Sequence, residues 1–476
     1  MFRPTENVYA QWRLQSGAAS VLRDDSDSPP EQLLQAIWRH QRLQRNRLQT
    51  TDGRRVRVLH PGFTSLEGGP DFHDAVLQIG NEPPCSGDVE IDLRANGWHA
   101  HAHDRNPAFN HVLLHVVWDD APARIQCPQQ LSLRGALDAT LGELGLWLEN
   151  ESPSVLPENC RGKCCDQLKR LNEAGVAELL NGAALVRFQA KAAQFHARAR
   201  QVGWDQTLWE GLFRALGYKH NIWPMQNLAE ARMRWAGTAD SVSALQARLF
   251  GISGLLPADL SGASSKAGGY LRTIWDQWWR ERDEFSDVVL PRRLWKFHGL
   301  RPANLPQRRL ALVAHWLANS EFVSQLETWC AAGVEDSQLL GSLIRVLQIK
   351  CDEFWSWHWT FQSRRLSRPQ PLLGPARATD LAINVILPWL WVRAMEGRNE
   401  KLQRVAEHRY FVWRGAQDNS LLRLARQRLF GTGKKTLLRR AAEQQGLTQI
   451  VRDFCENTNA VCARCRLPEL LSGCSV

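Results

Sequence analysis

The sequence predicts an α+β protein, in which an α/β N-terminal domain is followed by a mostly α-helical C-terminal region. Apolar and polar residues alternate with a period of two in several segments before residue 120, which is the pattern of half-buried strands. After residue 165 the apolar residues recur at helical spacing in long amphipathic stretches. The chain has 476 residues, too many for one compact core, so we expect several domains.

The first 30 residues are predicted to form a flexible tail with an optional short helix. Residues 18–30 are mostly small or acidic and end in two prolines, a composition typical of loops. The first ordered element is predicted at residues 31–43, where apolar side chains fall roughly on one helical face.

Residues 31–150 are predicted to form one domain around a mostly antiparallel sheet. Glycine, proline and asparagine separate its period-two segments, as turns between strands require. The predicted strands cover residues 54–62, 74–80, 87–95 and 111–119, with a possible fifth strand in residues 125–137 that leads into a helix over residues 137–148.

The rest of the chain is predicted to be helical, in two parts. Residues 151–420 carry amphipathic stretches without a repeat of fixed period, which argues against a solenoid. Residues 421–476 are predicted to form two basic helices around a glycine turn and to end in a cysteine cluster.

The charge is unevenly distributed along the chain. Residues 1–150 contain 14 Arg, no Lys and 19 acidic residues, a net charge of −5, whereas the remainder carries +15. An acidic front suits the binding of cations and a basic back suits a polyanion such as nucleic acid, although a basic surplus also serves solubility. We therefore expect nucleic acid as a partner.

The sequence carries signals of its cellular environment. No run of about 18 apolar residues occurs, and no hydrophobic stretch follows a basic one at the N-terminus, so we expect a cytoplasmic protein without membrane contact. The eleven cysteines are an odd number, which suits thiol ligation in a reducing compartment better than a disulfide framework. The sequence does not indicate an oligomeric state.

Acidic side chains on two neighbouring predicted strands form the first candidate site. Asp71 stands at the entrance of the second predicted strand. Glu90, Asp92 and Arg94 share one face of the third, because side chains alternate along a strand. Carboxylates from adjacent strands can hold a hard divalent cation such as Mg²⁺, which activates water for phosphodiester hydrolysis.

These residues resemble the PD-(D/E)XK nuclease pattern, with Pro-Asp at residues 70–71 and Glu-Ile-Asp at residues 90–92. The resemblance implies a restriction-endonuclease-like fold for the N-terminal domain. It also implies a Mg²⁺ or Mn²⁺ site held by Asp71 and Glu90, with Glu31 as the upstream helical glutamate of the pattern.

The sequence departs from that pattern at Asp92, which stands where the nuclease family has its lysine. No lysine precedes Lys163, so none within the domain replaces it. Arg94 can supply positive charge near a scissile phosphate, but its guanidinium stays protonated and cannot act as a base.

A histidine-rich segment follows the acidic strand. His99, His101 and His103 occupy alternate positions of a segment interpreted as extended, which would place them on one side of it. Such histidines could ligate a transition metal or act as acid and base, or they could form a solvated strand edge. His115 lies in an apolar predicted strand and could equally be a satisfied core residue.

Nine ordered motifs resemble the domain of unknown function 2851 family of bacterial proteins, over about residues 31–470. They are VLHPG, GPDFHDAVLQIG, GDVEID, WHAHAH, VLLHVV, ALGYKHN, LRPANLPQRRL, INVILPWLW and the closing C-x6-C-x2-C. The resemblance supports as site residues Asp71, Glu90, His101 and His103. Asp92 replaces a histidine that is usual in the family, which leaves its role open.

A basic segment near the C-terminus is a candidate nucleic-acid contact. Its glycine turn enters a predicted helix that carries Lys434, Lys435, Arg439 and Arg440. Backbone N–H groups at such a turn can bind a phosphate, but a solvated basic helix pair has the same composition. The preceding predicted helix adds Arg423, Arg426 and Arg428.

The C-terminal cysteines form a second candidate metal site. Cys455, Cys462, Cys465 and Cys474 are separated by six, two and eight residues, close to thiolate sets that hold Zn²⁺ or an iron–sulfur cluster. The family resemblance covers the first three only. An alternative fourth ligand could come from the segment with Cys160, Cys164 and Cys165.

Three functions fit these patterns. The first is a Mg²⁺- or Mn²⁺-dependent nuclease acting on DNA or RNA, whose candidate catalytic residues are Asp71, Glu90, Asp92, Arg94, His101 and His103. The second is a non-catalytic nucleic-acid-binding protein with a nuclease-like fold, suggested by the missing lysine. The third is a histidine-dependent metal enzyme with another kind of substrate.

Overall fold

The structure, a computed structural model, describes most of the chain. The residues outside the description are 1–6, 16–28, 66–68, 120–128, 148–161, 219, 237–240, 258–264, 350, 417–419, 432–437, 457–464 and 473–476. Contacts divide the chain into two compact units: Met1–Gln201 with Arg414–Val476 is the first unit, and Val202–Trp413 is the second. The first unit thus contains the helices up to residue 201 together with the last helices of the chain, whereas the sequence predicted domain boundaries near residues 150 and 420.

The six strands of the described residues all lie in the first unit. They are β1 (Val56–His60), β2 (Phe63–Thr64), β3 (Phe72–Ile79), β4 (Cys85–Asp92), β5 (Val112–Val117) and β6 (Gln129–Ser132). Five of them correspond to the four predicted strands and the possible fifth. The period-two pattern therefore located the sheet correctly.

The helices follow in chain order. They are α1 (Val8–Gln15), α2 (Glu31–His40), α3 (Gly97–Ala100), α4 (Leu141–Trp147), α5 (Cys165–Arg170), α6 (Glu173–Val202), α7 (Trp204–Gly217), α8 (Ile222–Glu230), α9 (Arg232–Trp235), α10 (Val242–Ile252), α11 (Ser265–Glu281), α12 (Pro306–Leu317), α13 (Phe322–Ala331), α14 (Leu339–Leu347), α15 (Pro375–Leu381), α16 (Leu387–Glu396), α17 (Glu400–Val412), α18 (Ser420–Phe430), α19 (Ala441–Val451) and α20 (Leu467–Ser472). The protein is thus α+β, as predicted. Within the described part of the chain, no helix has the length and apolar character needed to cross a bilayer.

The sheet is mixed, with the strand order β1-β3-β4-β5-β6 and β2 paired to β3. The strands β1 to β4 pair antiparallel, whereas β5 runs parallel to β4 and β6 runs parallel to β5. Three of the five strand pairs in the described residues are antiparallel, in line with the predicted mostly antiparallel sheet, but the parallel pairing of β5 and β6 was not predicted. A parallel pair needs a long crossover, and the helical turns between β4 and β5 provide it.

One face of the sheet packs on α2 around a hydrophobic core that includes Trp38, Val89 and Ile91. Because side chains alternate along a strand, Glu90 and Asp92 of β4 point to the other face. Both are almost fully buried, with exposed fractions of 7% and 3%. The apolar alternation of β4 thereby places its two carboxylates at the site described below.

The second core of the first unit joins both ends of the chain. Tyr9 and Trp12 of α1 are buried in it together with Leu447 of α19. The Tyr9 hydroxyl donates a hydrogen bond of 2.6 Å to Asp453, which also forms a 2.8 Å ion pair with Arg13. The optional short helix of the predicted tail is present as α1, but it is not flexible, since its two buried aromatic side chains have partners far along the sequence.

The second unit is all helical in its described residues and contains buried arginines. Arg308 on α12 donates hydrogen bonds to the backbone carbonyls of His358 and Pro371, at 2.9 and 3.0 Å. Arg309 donates to the Leu372 carbonyl at 2.7 Å. These bonds satisfy carbonyls of the irregular segment before α15, which gives both arginines a structural role.

Candidate metal centre

Asp71 and Glu90 face each other where β3 and β4 begin to pair. The backbone N–H of Asp71 donates a 3.0 Å hydrogen bond to Glu90 Oε2, and the N–H of Ile91 donates one of the same length to Asp71 Oδ2. The Asp71 carboxylate thus takes the place of a strand carbonyl at the end of the ladder. The two carboxylates are fixed by the backbone of the opposite strand.

The first turn of α2 lies beside this pair. Gln35 Nε2 donates a 2.8 Å hydrogen bond to Asp71 Oδ1 and lies 3.4 Å from Glu31 Oε1. Glu31 and Gln35 share one face of the helix because they are four residues apart. Glu31 is exposed, so its carboxylate is free to turn toward a bound cation.

Asp92, the last residue of β4, is clamped from two sides. His115 of β5 is fully buried and donates from Nε2 to Asp92 Oδ2 at 2.9 Å. Gly97, at the start of α3, packs so closely on Asp92 that an added Cβ would lie 2.5 Å from its Oδ1. His115 is therefore a partner of the site and not an isolated core residue.

The histidine segment is helical and not extended, which corrects the prediction. Residues 97–100 form α3 and residues 103–105 form a 3₁₀ turn, joined through Ala102 in the left-handed region with a φ of 54°. This geometry brings His101 and His103 to the carboxylates. His99 lies elsewhere, 3.2 Å from Asp104.

His101 and His103 differ in exposure. The His101 side chain is 56% exposed, with Nδ1 3.2 Å from Asp92 Oδ1. The His103 side chain is only 11% exposed and its ring stacks on Phe109 at 4.0 Å, with Nε2 3.2 Å from Glu90 Oε1. Burial lowers the pKa of His103, which favours the neutral imidazole that can ligate a metal.

The buried carboxyl groups have raised pKa values. Burial, opposed by the hydrogen bond from Ile91, raises the pKa of Asp71 to about 7. Burial and the neighbouring Asp71 raise the pKa of Glu90 to about 9. Burial and Asp92 also raise the pKa of Glu31. These shifts have the sign expected when buried carboxyl groups lie close to one another.

The cluster lacks a lysine or arginine partner within the described residues. Arg94, predicted to share the face of Glu90, lies two residues beyond the end of β4 and is exposed, without an ion pair in the described part of the chain. The ion-pair partners of Glu90 and Asp92 are the imidazoles of His103, His101 and His115.

The centre offers two kinds of donor atom for a divalent cation, and in the described residues three potential ligand atoms come within 4.8 Å of one another only in the second set. Oxygen atoms of Asp71, Glu90 and Glu31 are the ligands that Mg²⁺ and Mn²⁺ prefer. A second set comprises Asp92, His101 and His103, whose potential ligand atoms all lie within 4.8 Å of one another. The residues that the sequence predicted from two separate patterns thus form one centre.

Three features of this centre were not predicted from the sequence. Gln35 is signalled only by its spacing of four residues from Glu31. The close packing of Gly97 has no sequence signal, because a glycine before a helix is common. The aromatic wall of Trp98 and Phe109 around His103 follows from the helical turns that the period-two interpretation missed.

The other predicted sites are described only in part. Lys434 and Lys435 lie outside the described residues, whereas Arg439 and Arg440 are exposed just before α19. Arg428 is buried at 2% exposure, so it does not present its charge to a phosphate.

The predicted cysteine site also falls partly outside the description, since it includes Cys462 and Cys474. Cys455 and Cys465 pack in the same core as Cys164, a residue of the second cysteine segment. Ligation of Zn²⁺ or an iron–sulfur cluster there stays a prediction. The described residues contain one group of three potential metal ligands from histidine, cysteine and acidic side chains, the one at Asp92.

The fold and the centre define a mixed α+β protein with a buried group of carboxylates and histidines on one face of its sheet. The chain belongs to the family described as "Protein of unknown function (DUF2851)", whose model matches residues 31–410. Neither a curated protein nor a solved structure matches it. The matched residues thus include the whole centre.

Proposed function

We propose that the protein is a divalent-metal-dependent hydrolase that cleaves phosphodiester bonds in nucleic acid. The observation that carries the proposal is the convergence of Asp71, Glu90 and Asp92, all wholly or partly buried, with no lysine or arginine paired to them in the described chain. Burying several negative charges without a compensating positive charge is costly, and a bound dication removes that cost.

The residues have distinct roles in this proposal. Asp71 and Glu90 hold Mg²⁺ or Mn²⁺, and Glu31 completes the ligands or holds a water beside them. A dication so held supplies Lewis-acid activation of the phosphate and of water. The backbone bonds at Asp71 and Glu90 fix the carboxylates before the cation binds, so little reorganisation is needed.

Proton transfer falls to the histidines. His101 is exposed enough to reach a substrate and can pass protons to solvent. His103 is held by Phe109, and the neighbouring Asp92 carboxylate favours its protonated form, although burial lowers its pKa overall. Arg94, which is exposed just beyond the end of β4, contributes positive charge near the phosphate.

Nucleic acid as the substrate is supported by charge. The residues after 150 carry a net charge of +15, and the exposed Arg439 and Arg440 belong to the same compact unit as the carboxylates. Arginine side chains bind phosphate oxygens and confer affinity without sequence preference.

Cleavage of single-stranded, duplex and structured DNA and RNA with Mg²⁺ or Mn²⁺ tests the proposal. We expect cleavage by the native protein and its loss in Asp71→Asn and Glu90→Gln. Asp104→Asn is the matched control, since Asp104 is an exposed carboxylate of the same domain that contacts His99. Cleavage that survives in Asp71→Asn would contradict the proposal, and binding without any cleavage would favour a non-catalytic nucleic-acid-binding protein.

A further inference from the structure

The histidine side of the centre has the features of a separate metal position. His101, His103 and Asp92 each offer one ligand atom, and these atoms lie within 4.8 Å of one another. Two imidazole nitrogens and one carboxylate form a softer donor set than the oxygens of Asp71 and Glu90. The two donor sets adjoin at Glu90, whose Oε1 lies 3.2 Å from His103 Nε2.

A buried nitrogen of this group lacks a hydrogen-bond partner. Within the described structure, His103 Nε2 is buried and forms no hydrogen bond, although Glu90 Oε1 lies 3.2 Å away. Buried polar atoms in proteins are nearly always satisfied, and a missing ion is one of the few explanations for an exception. A ligand atom of the same His103 ring lies within 4.8 Å of ligand atoms of Asp92 and His101.

The backbone around the histidines is specialised for their placement. Ala102 adopts a φ of 54°, a left-handed conformation that is unfavourable for an alanine. This single residue separates His101 from His103 and lets both rings approach, with centroids 5.4 Å apart. Backbone strain of this kind occurs where a functional geometry requires it.

Asp92 is positioned as metal ligands usually are. His115 holds Oδ2 at 2.9 Å, which leaves Oδ1 facing His101. Hydrogen bonds from outside the ligand set orient a ligating carboxylate in the same way at known metal sites. The contact with Gly97 prevents Asp92 from turning away.

We propose that Asp92, His101 and His103 bind a transition-metal dication of the Mn²⁺ to Zn²⁺ series, next to the hard cation at Asp71 and Glu90. Imidazole suits these metals and not Mg²⁺. The inference deepens the proposed function by assigning a second metal to the same centre, but it rests on its own ligand set. It replaces the proton-transfer role of His101 and His103 by metal ligation, because an imidazole nitrogen that binds a metal cannot also carry a proton.

Cobalt substitution provides a test that does not depend on catalysis. Metal-free protein is titrated with Co²⁺, and visible d–d absorption reports nitrogen and oxygen coordination. Thiolate ligation adds a charge-transfer band in the near ultraviolet, which separates any cobalt bound by the C-terminal cysteines. We expect the native protein to bind about one equivalent of Co²⁺ and to show d–d bands. These bands should be absent in His103→Asn and in His101→Asn. Added Zn²⁺ should reduce them because it competes with Co²⁺ for the site.

Control variants make the result specific. His99→Asn changes an exposed histidine of the same segment that contacts Asp104, and it should leave the bands unchanged. His115→Asn should weaken Co²⁺ binding by roughly 10- to 100-fold without abolishing it, because His115 orients a ligand and does not ligate. His101→Asn concerns an exposed side chain, so it reports on ligation even if His103→Asn fails to fold.

The outcomes for the two proposals can be distinguished. The histidine site would be overturned if the native protein showed no d–d absorption from one equivalent of bound Co²⁺. It would also be overturned if the d–d bands persisted in His101→Asn. Bands that depend on His101 in a protein that cleaves no nucleic acid would support the histidine site and contradict the proposed function. We expect Asp71→Asn to retain the Co²⁺ bands while losing cleavage.

Discussion

At the scale of single residues, the buried carboxyl groups of the centre favour cation binding but lower the stability of the metal-free protein. Asp71 and Glu90 are held by backbone N–H groups, which favour the ionised form, but burial and repulsion from neighbouring carboxylates outweigh those bonds and raise both pKa values. In the absence of a cation, the folded protein therefore keeps protons that the unfolded chain would release at the same pH.

This predicts an unusual dependence of stability on pH. The native pKa values of Asp71 and Glu90, about 7 and about 9, exceed those of the unfolded chain. Because the native state binds more protons in between, the free energy of unfolding of metal-free protein should fall as the pH rises from about 4 to about 9. Melting temperatures measured in EDTA at pH 5 and pH 8 check this, and Asp71→Asn should reduce the slope.

The same argument predicts that a cation restores the lost stability. Mn²⁺ at about 100 times its Kd should add about 2.7 kcal/mol to the free energy of unfolding at pH 8. At pH 5 the same Mn²⁺ concentration should add less to the free energy of unfolding, since protons compete with Mn²⁺ for the carboxylates. Equal stabilisation of native protein and of the Asp71→Asn Glu90→Gln double variant would mean that the cation binds elsewhere.

At the scale of elements, the sequence was informative wherever periodicity was regular. The strands β1, β3, β4 and β5 follow from alternation, and α2 follows from its apolar face. The parallel pairing of β5 was missed because alternating histidines were interpreted as a strand, although the segment folds into helical turns. Ala102 breaks the local pattern, and a positive φ at an alanine leaves no trace in the sequence.

The close packing of α3 on β4 gives a prediction for Gly97→Ala. The added Cβ would lie 2.5 Å from Asp92 Oδ1, and Asp92 cannot easily yield because His115 holds it. We expect a loss of about 1–3 kcal/mol in unfolding free energy and weaker Co²⁺ binding. Gly135→Ala, where a Cβ meets no atom within 4 Å, is the control in thermal melts and Co²⁺ titrations. Unchanged binding in Gly97→Ala would show that Asp92 is not held in the way described.

At the scale of the whole molecule, segments of opposite net charge lie in the same compact unit. The acidic first 150 residues and the basic C-terminal helices, far apart in sequence, belong to one compact unit. Composition alone suggested separate acidic and basic domains, because it cannot report which distant segments pack together.

Nucleic-acid affinity should therefore depend on the basic residues and not on the carboxylates. In Lys434→Glu Lys435→Glu Arg439→Glu we expect weaker binding and a shallower dependence of log K on log salt, by roughly 0.7–0.9 per lost phosphate contact. Asp71→Asn should leave affinity in EDTA nearly unchanged. Filter binding over a range of salt concentrations measures both, and a salt slope identical to that of the native protein would exclude these residues from the interface.

The core shared by the two chain ends leads to a prediction about α1. Trp12 is 9% exposed and packs in that core, whereas Leu14 on the same helix is 43% exposed. Removing a buried tryptophan side chain costs about 3 kcal/mol or more, and removing an exposed leucine costs less than about 0.5 kcal/mol. Trp12→Ala should thus lower the melting temperature by several degrees and Leu14→Ala should not, measured by calorimetry.

Because Asp453 ties α1 to the segment after α19 through Tyr9 and Arg13, Asp453→Ala should lower the melting temperature as Trp12→Ala does. Equal melting temperatures for Trp12→Ala and Leu14→Ala would mean that α1 does not contribute to this core and behaves as the tail its sequence suggests.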